Sequence, residues 1–258
     1  MKKHNQKTEV YDDDFYEHGF GTPQMSSESA RIYTDHLTNF FLPKSVIDLG
    51  CGRGVWLKAF KDRGATKLIG VDGDWNSQDK MLDEEIIFQS ADLNNLQSEP
   101  ERYDLAMSLE VAEHLVQASS EDFVGYLTKS SDTVLFGAAY ENQGGINHIN
   151  EQKHSYWAEI FKLNGFLPFD FFREKFWGNQ KVGFWYRQNI FLYLKKDTEV
   201  FNLFNNKGFS PLQDFSFMNC IHPELYDSKC SQAISFTVHA KEIIPSLFRA
   251  IKKRIVRK

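Results

Sequence analysis

The stretch Val46-Ile47-Asp48-Leu49-Gly50-Cys51-Gly52-Arg53-Gly54 decides how the rest of the chain is read. A short apolar, β-branched run carries a carboxylate, Asp48, near its end, and glycines follow at 50, 52 and 54. Glycines so placed are needed where backbone approaches a ligand closely or takes positive φ. The spacing is G-x-G-x-G, not the G-x-G-x-x-G of loops that cradle a pyrophosphate on bare amides at a helix N-terminus. Asp48 beside the loop would repel a pyrophosphate and attract an ammonium group. A cationic, phosphate-free cofactor is expected.

Outward from this stretch, short apolar strands alternate with helix-like segments. The run 45–50 is a strand and GVWLKAFKDRG a helix ending at Gly64; further strands fall at 67–72, 86–92, 103–109 and 133–139. Before them, a helix runs from Ser29 to about Phe41 and is ended by Pro43. EHLVQASSEDFVGYLTKS reads as one helix, and SYWAEIFKLNGF (155–166) as another closed by Gly165. Strands separated by helices imply a parallel sheet with both faces covered. FDFFREKFW (169–177) and QNIFLYLKK (188–196) read as two strands forming an antiparallel terminal hairpin. The domain boundaries follow: an N-terminal arm over 1–28, an α/β domain over 29–196, an extension of weak periodicity over 197–240 and a basic amphipathic helix over 241–258.

Composition excludes several classes. With 258 residues, 15% aromatics and 23 Phe, the chain can build a sizeable core without disulfides and is no disordered tail. The net charge of −5 is uneven: residues 241–258 hold seven Lys/Arg and one Glu, and the first 240 carry 23 basic and 34 acidic residues, or −11. The body is a poor polyanion binder, so double-stranded nucleic acid is not an expected partner. No window of about 18 apolar residues reads as a membrane span, and MKKHNQKTEVYDDD lacks the apolar stretch of a secretory signal. Cys51, Cys220 and Cys230 lack metal-ligand spacing. A cytoplasmic enzyme is expected.

Two more carboxylates end strands. Asp72, followed by Gly73, closes the second and is placed to accept hydrogen bonds from ribose hydroxyls. Asp92 in SADL closes the third, where a side chain can meet an adenine amino group. DLGCGRG, VDGD, SADL and LEVAEHL, in this order and spacing, resemble the class I S-adenosylmethionine-dependent methyltransferases across about residues 29–196. The resemblance implies a Rossmann-like, mostly parallel seven-stranded sheet and S-adenosyl-L-methionine as cofactor. It also implies that Asp48 and the loop of Gly50, Cys51, Gly52 and Gly54 hold the methionine part, Asp72 and Gly73 the ribose, and Asp92 with Leu93 the adenine. Glu110 would lie near the sulfonium, and Cys51 reads as a small buried residue, not a nucleophile.

Methyl transfer is an in-line displacement that the enzyme mainly aligns. A neutral hydroxyl acceptor must also lose a proton, to a base or with the help of a metal. LEVAEHL would put Glu110, Glu113 and His114 on neighbouring faces of a helical turn, where they either ligate Mg²⁺ or Mn²⁺ or shape the acceptor pocket. The E-x-x-E-H pattern is shared with small-RNA 2′-O-methyltransferases and ubiquinone-pathway O-methyltransferases. In GGINHINEQKHSYW, His148 sits with Asn147 and Asn150 ahead of a helix that Ser155 can cap, and it is a base candidate; His154, at the helix start, is expected to face solvent. This H-x-N loop and the segment Trp185-Tyr186-Arg187-Gln188-Asn189 resemble a branch of methyltransferases linked to surface-polysaccharide and glycan biosynthesis. There Trp185 and Tyr186 would stack on sugars or simply pack on the core, and Arg187 would grip a phosphate or carboxylate.

The expected function is O-methylation of a sugar or a nucleotide- or lipid-linked glycan precursor, with His148 as base and His114 and Glu113 assisting. The alternatives are a metal-dependent small-RNA 2′-O-methyltransferase and a cofactor-binding, non-catalytic partner protein. In the tail, Ile244, Leu247, Phe248, Ile251 and Ile255 follow helical spacing among basic residues. That helix can dock on the acidic body, on a partner, or on an anionic membrane surface, which would put the enzyme at the membrane's inner face.

Overall fold

In the computed structural model, which describes residues 23–96 and 99–232, strand β1 (Ser45–Leu49) is an interior strand of a seven-stranded sheet. It pairs in parallel with β2 (Lys67–Asp72) on one side and β4 (Leu105–Leu109) on the other. β3 (Ile86–Ser90) extends the sheet beyond β2 and β5 (Thr133–Gly137) beyond β4, both in parallel. β7 (Phe191–Lys195) then pairs antiparallel with β5, and β6 (Phe166–Phe169) antiparallel with β7. The order is β3-β2-β1-β4-β5-β7-β6, so the chain reverses direction outward from β1 and leaves a crevice at the strands' carboxyl ends. The expected mostly parallel sheet with an antiparallel terminal pair is what the molecule contains.

Strand alternation splits the apolar residues into two layers. Val46, Leu68, Leu105, Met107, Leu135 and Leu192 face one layer, covered by α1 (Pro23–Thr38) and α2 (Val55–Lys61). Ile47, Ile69, Ala106, Phe136 and Tyr193 face the other, covered by α3 (Ser120–Ser130) and α4 (His154–Leu163). Both layers are closed, which is why strand after strand reads as an uninterrupted apolar run.

Three local expectations are corrected. Residues 169–177 do not form a strand: β6 ends at Phe169 and α5 (Arg173–Phe176) follows. The aromatic run packs on α1, with Phe171 stacked on His36 at 4.6 Å and Phe172 and Phe176 each 4.8 Å from Tyr33. Residues 184–189 form helix α6 (Phe184–Asn189), so the strand expected from 188 begins at Phe191. The first helix starts at Pro23, not Ser29, because proline suits an opening turn.

The first compact unit runs to Cys220, past the boundary expected at 196. Helix α7 (Glu199–Asn206), capped by the Thr198 side chain, belongs to it. So does the 3-10 turn Phe215–Met218, whose Phe215 and Met218 enter the second core layer. Residues from Ile221 form a separate unit, helical over 223–232. The arm up to residue 22 and the basic helix over 241–258 lie outside the described residues. No helix among the described residues is long and apolar enough to cross a membrane.

Phe136 is fully buried between Trp157, Phe161 and Tyr193. Phe136→Ala is expected to lower the unfolding free energy by about 3–5 kcal/mol in a denaturant titration, with Phe136→Leu losing much less.

Candidate active site

The glycine loop takes the conformations its sequence requires. Gly50, Gly52 and Gly54 have φ of 85°, 51° and 79°. At Gly50 a Cβ would also lie 2.3 Å from Val111 Cγ2, so the loop can pass the turn after β4 only as bare backbone. Gly52 N donates to Asp72 Oδ2 at 2.8 Å, and Gly73 N to Asp72 Oδ1 at 2.7 Å. Asn76, buried, donates from Nδ2 to Gly52 O at 2.5 Å and accepts from Arg53 Nη1 at 3.3 Å. Nothing in the local sequence marks Asn76; its role arises where the chain after β2 folds back over the loop.

Asp48 and Asp72 are both buried at the ends of adjacent strands. Burial pushes Asp48 well above the usual carboxylate range, and Asp72 pushes it further. Asp72 is raised by burial and partly restored by the amides of Gly73 and Gly52 and by Arg53. A cation in the crevice would relieve both. Cys51 is buried, and burial together with the two aspartates pushes its thiol well up, so it is no nucleophile. Asp92 is exposed and accepts from Asn94 N at 3.0 Å, while Leu93 enters the second core layer.

After β4 the backbone makes a left-handed turn at Glu110, φ 57°, followed by a 3-10 turn over Ala112–His114. The expected α-helical turn is therefore absent, and the three candidate ligands split. Glu110 points to Asn189, whose Nδ2 lies 2.9 Å from Oε1 and 3.2 Å from Oε2, and receives Gln143 Nε2 at 3.4 Å. Burial pushes its carboxyl up to about 7; Asn189 and Gln143 hold it back, and Glu151 adds to the rise. The trio Glu110, Glu113 and His114 is thus corrected to Glu113, His114 and His148, whose ligand atoms all lie within 4.8 Å of one another.

This second group is built for chemistry. Glu113 is 0% exposed, and its carboxyl has no side-chain partner; only the amides of Glu113 and Ala139 act on it to offset burial. Burial, then Glu110, pushes its carboxyl well above the usual range. His148 Nδ1 lies 2.7 Å from Glu151 Oε1, which also accepts from Gly144 N at 2.6 Å. The His148 ring covers Gly145, where a Cβ would fall 2.2 Å from Nε2. His114 Nδ1 faces Asn147 O at 3.3 Å, and the two rings meet edge-on at 4.7 Å. Each imidazole is thus oriented through Nδ1, leaving Nε2 directed elsewhere. Ile149 N and Asn150 N both donate to Glu113 O at 2.9 Å, tying the loop to the turn after β4. Glu151 escaped the sequence reading, although its place three residues after His148 is a usable signal.

The remaining candidates lie inward. Asn150 is buried and donates to Ala112 O and Ser120 Oγ. Trp185, Tyr186 and Arg187 are buried on α6, with Arg187 Nη1 on Trp177 O at 2.9 Å. In place of an open aromatic hairpin, this segment packs beneath α1, and Tyr33 Oη donates to Tyr186 O. His154, expected at the surface, is 2% exposed, with Nδ1 2.9 Å from Met218 O and Nε2 3.0 Å from Asn189 Oδ1. Burial pushes it down to about 4. Asn219, not Ser155, satisfies the start of α4: its Oδ1 accepts from Ser155 N at 3.1 Å.

Because the folded Glu110 carboxyl holds its proton up to about 7, it opposes folding progressively as pH rises above the ordinary glutamate range. Glu110→Gln should therefore gain stability relative to the native chain between about pH 4.5 and 7. Taking the difference removes His36 and His154, which are lowered to about 4 and titrate with the opposite sign. A flat difference in thermal unfolding across this window would show that Glu110 is not so shifted.

Residues 24–123 match the family model described as a methyltransferase domain. The mitochondrial ubiquinone biosynthesis O-methyltransferase of Dictyostelium discoideum is 34% identical over 103 residues, covering 33% of this chain and 31% of that protein. The chain therefore spans about a third of the length of that curated relative. Among solved structures, a chain from the complex of the Haloferax volcanii Trm112 methyltransferase activator with a methyltransferase superposes with a TM-score of 0.54 at 13% identity, over 75% of this chain and 99% of that one. The small RNA methyltransferase HEN1 superposes with a TM-score of 0.51 at 17% identity, over 69% of this chain and 26% of that one. Residues 24–123 thus resemble a methyltransferase domain, and the sheet shares its fold with these solved methyltransferase structures.

Proposed function

We propose that this protein transfers a methyl group from S-adenosylmethionine to a hydroxyl oxygen of a sugar-containing precursor. The observation that carries the reading is the His148–Glu151 pair at 2.7 Å, set beside His114 and Glu113. Asp48 and Asp72 offer negative charge where the cofactor's ammonium and ribose would lie, next to the glycine loop. Glu151 accepts the Nδ1 proton of His148, which leaves the Nε2 lone pair to take the acceptor's hydroxyl proton. The oxygen then displaces the methyl group from the sulfonium in line, releasing the neutral thioether.

A sugar-bearing acceptor is supported by the H-x-N loop and the W-Y-R-Q-N segment, the latter as scaffold. Ile146 and Ile149 are exposed on either side of His148, which favours a lipid-linked precursor over a free nucleotide sugar. The charge of −11 over the first 240 residues counts against an RNA acceptor.

A second role for the same residues is favoured by Glu113, a fully buried carboxyl without a side-chain partner, set beside two imidazoles. Glu113, His114 and His148 would hold a divalent cation such as Mg²⁺ or Mn²⁺, which would lower the pKa of a bound hydroxyl. Their donor set fits, because each histidine already has its other nitrogen oriented by an oxygen.

With labelled S-adenosylmethionine and a panel of lipid-linked saccharides, nucleotide sugars and small RNAs, label should enter the lipid-linked saccharide. Label entering RNA alone would refute the acceptor assignment. His148→Ala and Glu151→Gln should each lower turnover, His148→Ala by about 10²-fold or more, while leaving cofactor affinity unchanged. Dialysis against EDTA separates the two roles: survival of activity supports the base, and loss restored by Mg²⁺ or Mn²⁺ supports the cation.

A further inference from the structure

A buried hydrogen-bond chain leaves the active site and runs into the second core layer. It starts at Glu110 and passes through Asn189, which is 1% exposed, to His154. It ends at the imidazole, whose Nδ1 lies 2.9 Å from Met218 O, a carbonyl that accepts from Arg173 Nη1 at 2.8 Å. Arg173 is in turn bound by Asp170 and lies over the Phe191 ring at 4.4 Å.

The amide of Asn189 is the hinge of this chain, and its orientation is fixed from outside. Tyr140 N donates to Gln143 Oε1 at 3.2 Å, which makes that oxygen an acceptor. Asn189 Nδ2 lies 3.1 Å from the same oxygen and so must be the donor there, which also aims it at Glu110. Asn189 Oδ1 then faces inward, toward Gln188 Nε2 and His154 Nε2, both at 3.0 Å. A neutral imidazole carries one N–H, and both its neighbours, Met218 O and Asn189 Oδ1, are acceptors, so only one of the two contacts is a hydrogen bond. Arg173 already serves the Met218 carbonyl, and a His154 proton on Nε2 completes the chain to Glu110.

We propose that His154 is a positioning residue for the cofactor site: its Nε2–H holds the Asn189 amide, which holds the Glu110 carboxylate toward the sulfonium. The inference rests on the reading of Glu110 as the carboxylate beside the cofactor's cationic centre. Glu110 has a left-handed backbone, which persists only where the surroundings hold it. Asn189 anchors its carboxylate, and His154 fixes the anchor's handedness.

Two variants separate the ring nitrogens. In His154→Gln the side-chain amide nitrogen replaces Nε2 and still reaches Asn189. In His154→Asn it replaces Nδ1 and reaches only the Met218 carbonyl. The readout is the ratio of affinities for S-adenosylmethionine and S-adenosylhomocysteine, measured by calorimetry, because only the former carries the positive charge that Glu110 meets. The native protein and His154→Gln should prefer the sulfonium to the same extent. His154→Asn should lose that preference by several-fold to about tenfold, the scale of one hydrogen bond between neutral groups, with the thioether's affinity unchanged. Equal ratios in both variants, or a loss in His154→Gln alone, would overturn the proposal. A native protein that binds both ligands without preference would instead remove Glu110 from the sulfonium, and the inference would fall with that reading. Both variants are polar and close in size to histidine, and thermal unfolding confirms that each is folded before the ratio is taken.

Discussion

The open end of the sheet is organised around two carboxylates, Asp48 and Asp72, buried next to each other at the ends of β1 and β2. Burying like charges in company is unfavourable, and both side chains are displaced upward in pKa as a result. The surrounding structure accommodates the cost without removing it. Gly52 and Gly73 turn their amides onto Asp72, and Asn76 holds the Gly52 carbonyl away. The three positive φ values of the glycine loop are what allow the Gly52 amide to point inward. Such a site is matched to a ligand that brings positive charge and hydroxyl donors, which is the character of S-adenosylmethionine.

The turn after β4 then divides the remaining acids by function. A left-handed Glu110 and a 3-10 turn send one glutamate toward Asn189 and bury the next, Glu113, beside His114 and His148. An α-helical turn would have stacked all three on one face and left no distinct place for an acceptor. As built, the cofactor side and the acceptor side are separate but lie within the same few residues. The Glu113 carbonyl fastens the His148 loop to this turn, so His148 and Glu110 are positioned by one segment.

The central strands and the glycine loop were legible because continuous apolar, β-branched runs and glycine spacing are local properties of residues 45–54 and 67–72. The aromatic run at 169–177 was not. Its continuous apolarity fits a strand or a buried helix, and only packing against Tyr33 and His36 of α1 selects the latter. The conformation of Glu110 was equally hidden, because it depends on Asn189, 79 residues away in sequence. His154 looked like a solvent-facing residue at a helix start, yet the turn at Phe215–Met218 folds over it and sets the Met218 carbonyl 2.9 Å from its Nδ1. In each case the deciding partner is remote in sequence.

The account stands on the assignment of the paired carboxylates to cofactor binding. The most direct measurement is a calorimetric titration of S-adenosylmethionine into the native protein and into Asp72→Ala. The account predicts saturable binding to the native chain and a loss of about ten- to a hundredfold in the variant, the range for hydrogen bonds to a charged group. Equal affinity in the two proteins would contradict it.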